Sequence, residues 1–339
     1  MRQTNLRDER GSYVEPSKLT VLQFLERWLK HIKPNVTPKT HERYSDLLNK
    51  NIAQLLEANI LSKLQPIDIS EAYARALESG RRDGKGGLSP HHMHRVLYTA
   101  LKQAERWRLI NRSPAALLEK RDRPKIEKKP VRTIDAPAAA FDTARERRLF
   151  IPLILATLCG MRRGEITAVR WRAIDLNNAQ LAVVASTEQT DAGTIREKEA
   201  KSGRARTIAL PQLAVEELRR WRLVQAEELL RLGIRADDDW HVVTQADGSP
   251  LRPRSLTHAA SKFLKEWKVT LHSLRHSHAS HMLASNIHPK VVQERLGHSS
   301  IAITMDIYSH LMPNMQQDAA AAVDDVLRAA INKRSKDVG

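Results

Sequence analysis

The sequence LGHSSIAITMDIYSH occupies positions 296–310, near the end of a chain of 339 residues. Its apolar residues recur at helical spacing, which predicts a helix over 302–311. Tyr308 falls on that helix. Because a lone tyrosine after an amphipathic run usually packs into the core of its own domain, the stretch gains meaning only from the segments that precede it.

Three earlier segments carry basic residues at short spacings. They read GMRRGE at 160–165, KSGRARTI at 201–208 and HSLRH at 272–276. An arginine three residues before a glutamate usually forms a surface ion pair on a helix, and a histidine three residues before an arginine is less specific still. The informative feature is the order of the four segments together.

The four segments contain the groups that phosphodiester transfer without a metal ion requires. A nucleophile attacks phosphorus, fixed cations neutralise the non-bridging oxygens, and an acid protonates the leaving 5′ oxygen. Arginine binds phosphate oxygens in pairs and stays charged, and lysine or histidine can supply the proton. Tyrosine, with an ordinary pKa of roughly 10, needs nearby positive charge to act as the nucleophile.

The charge of the chain is consistent with a polyanionic partner. Lysine and arginine number 56 against 39 aspartate and glutamate residues, a net charge of +17. The part through Pro130 has 26 basic and 15 acidic residues, net +11, and the remainder has 30 and 24, net +6. Nucleic acid is the commonest cellular polyanion, so the first part is predicted to be the stronger electrostatic clamp on DNA.

Cysteine content and hydropathy predict the compartment. Cys159 is the only cysteine, so an internal disulfide is excluded and a reducing environment fits. No apolar run approaches the roughly 20 residues of a membrane span, and residues 1–10 are too polar for a secretory signal. We expect a soluble, cytoplasmic protein that associates with the nucleoid and not with a membrane.

Composition and periodicity predict two domains. The predicted fold is mainly α with a small antiparallel β-sheet: an all-helical domain is followed by a mixed α+β domain. The predicted boundaries are 1–18 for an N-terminal tail, 19–120 for the helical domain, 121–132 for a basic linker, 133–330 for the second domain and 331–339 for a C-terminal tail. The linker has two open interpretations, a solvated loop or a segment that lies along DNA phosphates.

Periodicity and capping residues predict the individual elements. Thr20 and Thr37 are predicted caps of the first two helices, and Ser70 of the third. Helices are expected over 19–29, from 38 through 47, and over 70–77, 90–109, 136–157, 164–171, 213–232, 255–267, 273–284, 290–296, 302–311 and 314–331, with a short helix that starts at 113–114. Strands are expected over 180–184, 206–210 and 241–243.

The four segments, behind a basic helical domain, resemble the tyrosine recombinase, or phage integrase, family. The resemblance extends from about Leu19 to about Leu327 and is strongest over 158–171 and 272–311. In particular, LGHSSIAITMDIYSH is similar to the integrase signature of conjugative transposons and temperate phages. The fold expected from the resemblance is a helical core-binding domain followed by the tyrosine-recombinase catalytic domain.

The resemblance implies a catalytic role for each of seven residues. Arg162 and Arg275 correspond to the two catalytic arginines, and Glu165 to the acidic residue that supports the site by hydrogen bonding. Lys201 corresponds to the lysine of the β-hairpin, which protonates the leaving oxygen, with Lys198 as the alternative. His272 corresponds to the histidine of the H-x-x-R box, His298 to a residue that bonds a phosphate oxygen, and Tyr308 to the nucleophile that forms a 3′-phosphotyrosine.

The resemblance also implies how the protein acts. It would bind double-stranded DNA at core-type attachment sites, assemble as a homo-tetramer, and integrate or excise a mobile element without ATP, metal or another cofactor. A DNA-bending accessory protein and an excision factor are further expected partners. Only a short tail precedes the helical domain, so the arm-binding domain of larger integrases is expected to be absent or reduced to a remnant.

Alternatives also remain for the activity, for the last predicted helix and for a group of histidines. The chemistry is shared with type IB topoisomerases, and the DNA-binding character with non-catalytic regulators. The last predicted helix, over 314–331, packs either on its own domain or on a neighbouring subunit. The histidines at 272, 276, 278 and 281 suggest a metal site, but no H-E-x-x-H motif or acidic residue accompanies them; Cys159 is expected to be a buried structural residue.

Overall fold

The computed structural model describes most of the chain. The described residues are 18–78, 90–118, 141–145, 147–199, 205–235, 237–308, 320–321, 323–325 and 327–328. The predicted linker, the predicted C-terminal tail and residues 1–17 lie outside them, as does Lys201. The chain divides into two compact units, Met1–Lys129 with Thr190–Gly193, and Pro130–Gln189 with Thr194–Gly339.

Within the described residues, the first unit is helical, apart from an isolated bridge between Thr20 and Ile60. Its helices are α1 (Val21–Ile32), α2 (Pro38–Leu47), α3 (Ala53–Leu56), α4 (Pro66–Glu78), α5 (Pro90–Arg106) and α6 (Pro114–Leu117), and a π-helical turn, Leu48–Ile52, joins α2 to α3. Phe24 and Trp28 of α1 and Leu97 and Leu101 of α5 are among its fully buried side chains. These apolar residues recur every three or four positions, so each helix presents one stripe to a shared core.

Capping explains where the first helices begin. Thr20 Oγ1 accepts a hydrogen bond from the backbone N–H of Gln23 at 3.2 Å, and the Gln23 side chain accepts from the Thr20 N–H at 3.1 Å. Thr37 caps α2 through its own Oγ1, which accepts from the Thr40 N–H at 3.2 Å. These bonds satisfy N–H groups that have no partner within the helix, and both predicted caps are confirmed.

The predicted start of α4 at Ser70 is wrong. The helix begins at Pro66, and Asp68 Oδ2 accepts from the Gln65 N–H at 2.8 Å. A proline suits a first helical turn because the N–H that it lacks would be unpaired there. Ser70 is therefore an interior residue of α4, and the helix is a full turn longer than its apolar periodicity indicated.

Among its described residues, the second unit combines helices with two small antiparallel sheets. Its helices are α7 (Phe150–Thr157), α8 (Arg163–Ala168), α9 (Gln212–Arg231), α10 (Pro253–Phe263), α11 (Leu271–Ala284), α12 (Pro289–Leu296) and α13 (Ile301–Tyr308). Its strands are β1 (Ile174–Asp175), β2 (Gln180–Val183), β3 (Ala185–Gln189), β4 (Ile195–Glu199) and β5 (Arg206–Ala209). One sheet has the order β1-β2-β5 and the other is the hairpin β3-β4. In neither unit is any described helix long and apolar enough to cross a membrane.

Several predicted elements of the second unit need correction. The helix expected over 136–157 is interrupted, because residues 145 and 147–149 form turns and a bend in a charged segment before α7 begins at Phe150. The helix expected over 164–171 ends at Ala168, and Trp171 starts a 3-10 turn. The strand expected at 241–243 is only an isolated bridge between Arg170 and His241. Strands β3 and β4 were not predicted, because their residues are only partly apolar.

Helix α7 forms the centre of the second core. All eight of its residues are buried, and Cys159 just beyond it is fully buried as well. Burial raises the pKa of the Cys159 thiol to about 12. The thiol is therefore protonated at neutral pH, which agrees with the structural role expected for this residue.

Gly160 turns the chain between α7 and α8. Its φ is +63°, and a Cβ there would lie 2.8 Å from both His278 Cδ2 and Leu296 Cδ2. Both a left-handed conformation and a close approach of α11 and α12 thus require glycine at this position.

We predict that Gly160→Ala lowers the free energy of unfolding more than Gly233→Ala does. Gly233 has a φ of +74°, and a Cβ there would meet no atom within 4 Å, so alanine has only the backbone cost, about 1–2 kcal/mol. At Gly160 the clash should add about 1–3 kcal/mol. Urea unfolding followed by tryptophan fluorescence measures both variants, and equal losses would show that the close approach is unimportant.

Candidate active site

Glu165 lies at the centre of the basic segments. It is the third residue of α8, and only 3% of it is exposed. Its Oε1 accepts from Arg162 Nη1 and Arg206 Nη1, both at 2.9 Å, and its Oε2 accepts from Arg206 Nη2 at 2.7 Å and from the Arg162 backbone N–H at 2.8 Å. A guanidinium nitrogen of Arg275 is 3.9 Å from the same Oε2. Three arginines therefore surround one buried carboxylate.

The electrostatics of Glu165 follow from this arrangement. Burial alone would raise the pKa of the carboxyl, but the hydrogen bonds and charge of Arg206 and Arg162 outweigh that effect and hold the pKa below its ordinary value of 4.5. Glu165 is consequently ionised at neutral pH. The positive charge of the three arginines exceeds its single negative charge, so the cluster keeps excess charge for an anion.

The same three arginines bind the C-terminal end of α12. Arg206 Nε donates to the Arg295 carbonyl at 2.9 Å, Arg275 Nη2 to the Leu296 carbonyl at 2.6 Å, and Arg162 Nη2 to the Gly297 carbonyl at 2.8 Å. Carbonyls at a helix C-terminus lack partners within the helix and carry partial negative charge. Three successive carbonyls thus orient three guanidinium groups that come from β5, α11 and the start of α8.

Arg275 is the most enclosed of these arginines. It is 3% exposed, and its Nη1 also donates to the Gly160 carbonyl at 2.5 Å. Arg162 is more accessible, with 36% of its side chain exposed. Arg275 therefore joins the turn at Gly160 to the end of α12, whereas Arg162 has the more open position toward solvent.

His272 and His276 are paired on one face of α11. Their Nε2 atoms are 3.0 Å apart, and which ring donates depends on the tautomers. Burial, followed by the charge of Arg275 and Arg162, lowers the pKa of His272, and burial together with the charges of His272 and Arg275 lowers that of His276 to about 4. Both rings are therefore neutral at neutral pH in the absence of a bound anion.

His298 directly follows the left-handed Gly297, which ends α12. Its Nδ1 lies 2.9 Å from Thr304 Oγ1, a fully buried hydroxyl on α13. Burial and then the charges of Arg275 and Arg162 lower the pKa of His298 to about 4. Tyr308 is the last residue of α13, and its side chain lies outside the described part of the structure.

Of the two candidate lysines, only Lys198 is among the described residues. Lys201 lies outside them. Lys198 lies on β4, where its Nζ is 3.0 Å from Glu188 Oε2 across the hairpin. Five of the seven predicted site residues, namely Arg162, Glu165, His272, Arg275 and His298, have described side chains, and ion pairs or shared electrostatic effects connect them.

Arg206 belongs to the cluster although it was not predicted as a site residue. A signal was present in the sequence, because side chains alternate along a strand and Arg206 shares its face with Ile208, which is buried. A basic residue on the core-facing side of a strand requires a buried acidic partner. That partner is Glu165.

The histidines of α11 do not form a metal site with their surroundings in the described part of the chain. No group of three or more histidine, cysteine, aspartate or glutamate side chains is placed there to hold a metal ion. The pairing of His272 with His276 is instead a ring-to-ring contact beside the arginines.

Comparison with known proteins identifies the family. Residues 126–315 match the phage integrase family, and residues 20–76 match the N-terminal SAM-like domain of phage integrases. The chain belongs to the phage integrase family. The predicted family, and the predicted fold of a helical domain followed by a mixed catalytic domain, are thereby confirmed.

Three proteins illustrate the relationship of this integrase-family chain to others. The ICEBs1 integrase of Bacillus subtilis is 25% identical over 305 residues, which are 86% of this chain and 78% of that protein. A Tn1549 transposon integrase in complex with transposon right end DNA has a TM-score of 0.75 at 16% identity, over 90% of this chain and 100% of that one. A lambda integrase tetramer bound to a Holliday junction has a TM-score of 0.61 at 18% identity, over 83% and 78%.

Membership in the phage integrase family establishes the class of activity. The chain is a tyrosine recombinase, an enzyme that cuts and rejoins DNA at specific sites. Neither the topoisomerase nor the regulator alternative is supported by any of these relatives.

We predict that Glu165→Gln destabilises the second unit more than Glu217→Gln. Each variant removes a buried carboxylate: that of Glu165 pairs with three arginines and that of Glu217 with two. Arg145 and Arg220, the partners of Glu217, are about half exposed and can be rehydrated, whereas the partners of Glu165 include Arg206 and Arg275 at 13% and 4% exposure. Breaking a buried ion pair costs about 3–5 kcal/mol. Urea unfolding at pH 7 compares the variants, and equal losses would contradict the prediction.

The pH dependence of the same variant provides a second measurement. Because folding lowers the pKa of Glu165, its contribution to stability is complete above the ordinary value of 4.5 and is lost as the pH falls through the folded-state pKa. The difference in unfolding free energy between wild type and Glu165→Gln should therefore shrink below pH 4.5. A difference that stays constant from pH 7 to pH 3 would contradict this assignment.

Proposed function

We propose that this recombinase integrates and excises a mobile element by cleaving core-type DNA sites with Tyr308. The observation that carries the proposal is the convergence of Arg162 and Arg275 on one carboxylate and on successive carbonyls of α12. His298 follows those carbonyls directly in the chain. A cluster with excess positive charge and fixed donors is suited to hold a phosphodiester.

In the proposed reaction, Arg162 and Arg275 bind the non-bridging oxygens of the scissile phosphate, and His298 donates a hydrogen bond to one of them. Tyr308 Oη attacks phosphorus and forms a 3′-phosphotyrosine as the bond to the 5′ oxygen breaks. The neutral His272 accepts the tyrosine proton, and a lysine protonates the leaving 5′ oxygen. The 5′ hydroxyl of a partner strand later attacks the phosphotyrosine and releases Tyr308, so no ATP is consumed.

Neutral histidines fit these roles. An imidazole with a lowered pKa can accept a proton or donate one hydrogen bond without adding charge. A bound phosphodiester would offset the repulsion from the arginines and raise the pKa values of His272 and His298 toward neutrality. The site would then gain proton-transfer capacity only when DNA is bound.

We further propose that the active form is a homo-tetramer on two recombining sites. The related lambda integrase tetramer bound to a Holliday junction supports this assembly, and the integrases of ICEBs1 and Tn1549 support a mobile-element role. Val323 and Leu327 of the last helix are 60% and 57% exposed, which favours docking on a neighbouring subunit over packing on the same unit. A DNA-bending protein and an excision factor remain proposed partners.

A suicide-substrate assay tests the nucleophile. DNA containing the attachment site, taken from the sequence that flanks the gene, is nicked so that cleavage releases a short fragment. Wild-type protein should become covalently attached to this DNA, and Tyr308→Phe should not, because it lacks the attacking oxygen. Tyr98→Phe is the matched control, because it removes an exposed hydroxyl in the first unit.

Covalent complex formation by Tyr308→Phe would overturn the assignment of the nucleophile. The same proteins are then given two complete sites on separate DNA molecules. Exchange of strands between the sites distinguishes a recombinase from a topoisomerase, which would only relax supercoiled DNA.

A DNA substrate with a bridging 5′-phosphorothiolate tests which lysine is the general acid. Sulfur is a far better leaving group than oxygen and needs no protonation, so loss of the general acid should not slow cleavage of this substrate. We predict that Lys201→Ala slows cleavage of the normal substrate by roughly 10²–10⁴-fold, a typical contribution of general acid catalysis, and that the phosphorothiolate restores the rate. Lys198→Ala is the matched variant, and rescue of Lys198→Ala instead would transfer the role to that residue.

A further inference from the structure

Arg206 connects two parts of the site although no catalytic role was predicted for it. Its two Nη atoms form a bidentate pair with Glu165 at 2.9 and 2.7 Å, and its Nε donates to the Arg295 carbonyl at 2.9 Å. Only 13% of the side chain is exposed. All three guanidinium nitrogens therefore make bonds inside the protein, and two of the three bonds go to the Glu165 carboxylate.

The side chain of Arg206 packs closely against Gly297. A Cβ at Gly297 would lie 3.0 Å from Arg206 Nη1, 3.1 Å from its Cδ and 3.2 Å from its Cζ. The side chain thus lies close against the peptide that supplies the carbonyl bound by Arg162. A displacement of Arg206 would remove two hydrogen bonds from the Glu165 carboxylate and one from the last turn of α12.

We propose that Arg206 is a positioning residue for strand cleavage, which locks Glu165 and the end of α12 so that Arg162, Arg275 and His298 hold the scissile phosphate. The inference rests on the proposed function of those residues. Without Arg206, Glu165 would keep Arg162 and the more distant Arg275, and the carbonyl of Arg295 would lose its donor. The remaining arginines could then adopt more than one arrangement around Glu165. The negative charge of that carboxylate would be less fully compensated.

Lysine cannot reproduce this contact. An ammonium is a point charge on a flexible stem, whereas the guanidinium fork bonds both oxygens of a carboxylate in one plane. Arg206→Lys therefore keeps the positive charge near Glu165 but loses the fixed geometry, and Arg206→Gln loses both. The pair of variants separates the two contributions.

The matched control is Arg295→Gln. Arg295 is another mostly enclosed arginine that joins α12 to the same region: it donates to the carbonyls of Ala209 and Leu158 at 2.9 and 3.0 Å and to His278 Nε2 at 3.0 Å. Its side chain makes none of the described bonds to Glu165. A loss caused only by weaker packing between α12 and β5 should appear in this variant too.

The experiment measures the single-turnover rate of suicide-substrate cleavage at saturating protein, from pH 5 to pH 9. Each rate is normalised to the folded fraction of the variant, which tryptophan fluorescence determines. A misplacement of about 1 Å can cost on the order of 10²-fold in rate. We expect Arg206→Gln to slow cleavage roughly 10- to 100-fold with little change in DNA affinity. The low-pH side of its pH–rate profile should move to higher pH, because Arg206 is the main group that lowers the pKa of Glu165. Arg162 and Arg275 are the other charged groups that face Glu165.

Arg206→Lys should have the low-pH side of its pH–rate profile near that of wild type, but its cleavage rate should stay reduced. Arg295→Gln should have the wild-type profile and the wild-type rate per folded molecule. The inference is overturned if Arg206→Gln cleaves like wild type with an unchanged pH profile, or if Arg295→Gln reproduces its defects. Failure of the proposed function is a separate result: wild type would form no covalent complex, or Tyr308→Phe would still form one. If Arg206→Gln does not fold, the cleavage rate of Arg206→Lys per folded molecule tests the inference instead, and a wild-type rate would overturn it.

Discussion

The buried carboxylate of Glu165 is the constraint on which the catalytic unit depends. An isolated charge at 3% exposure would be strongly unfavourable, so the fold must bring cations to it. They come from the start of α8, from β5 and from α11, three segments that are distant in the chain. Satisfying one glutamate therefore assembles the two arginines predicted to bind phosphate, so in the proposed mechanism one arrangement meets both the folding requirement and the catalytic requirement.

The C-terminal end of α12 is the second half of that arrangement. Gly297 adopts a left-handed conformation and stops the helix, which leaves the carbonyls at 295, 296 and 297 available to three arginines. The guanidinium groups are thus oriented before DNA arrives, with little reorganisation left for the reaction. The same glycine places His298 immediately after these carbonyls.

The sequence predicted the parts of the molecule in which local patterns decide the structure. Thr20 and Thr37 begin helices where their side chains can cap, and residues such as Arg162 and Arg275 could be carried over from motifs. The errors lie where tertiary contacts decide. The helix expected over 136–157 breaks at a charged segment before Phe150, and β3 and β4 lack a clear apolar alternation. Arg206 was missed because its partner is 41 residues away in the chain.

Burial, and after it the same excess of cations, lowers the pKa values of His272 and His298. Arg162 and Arg275 lower the pKa values of both His272 and His298, so the unliganded site consists of permanent guanidinium charges and neutral rings. In the proposed mechanism, an anionic phosphodiester would oppose that repulsion and raise both pKa values. Binding of DNA and gain of proton affinity would then be linked thermodynamically, and the arginines proposed to bind the phosphate would also control when the neighbouring histidines can hold a proton.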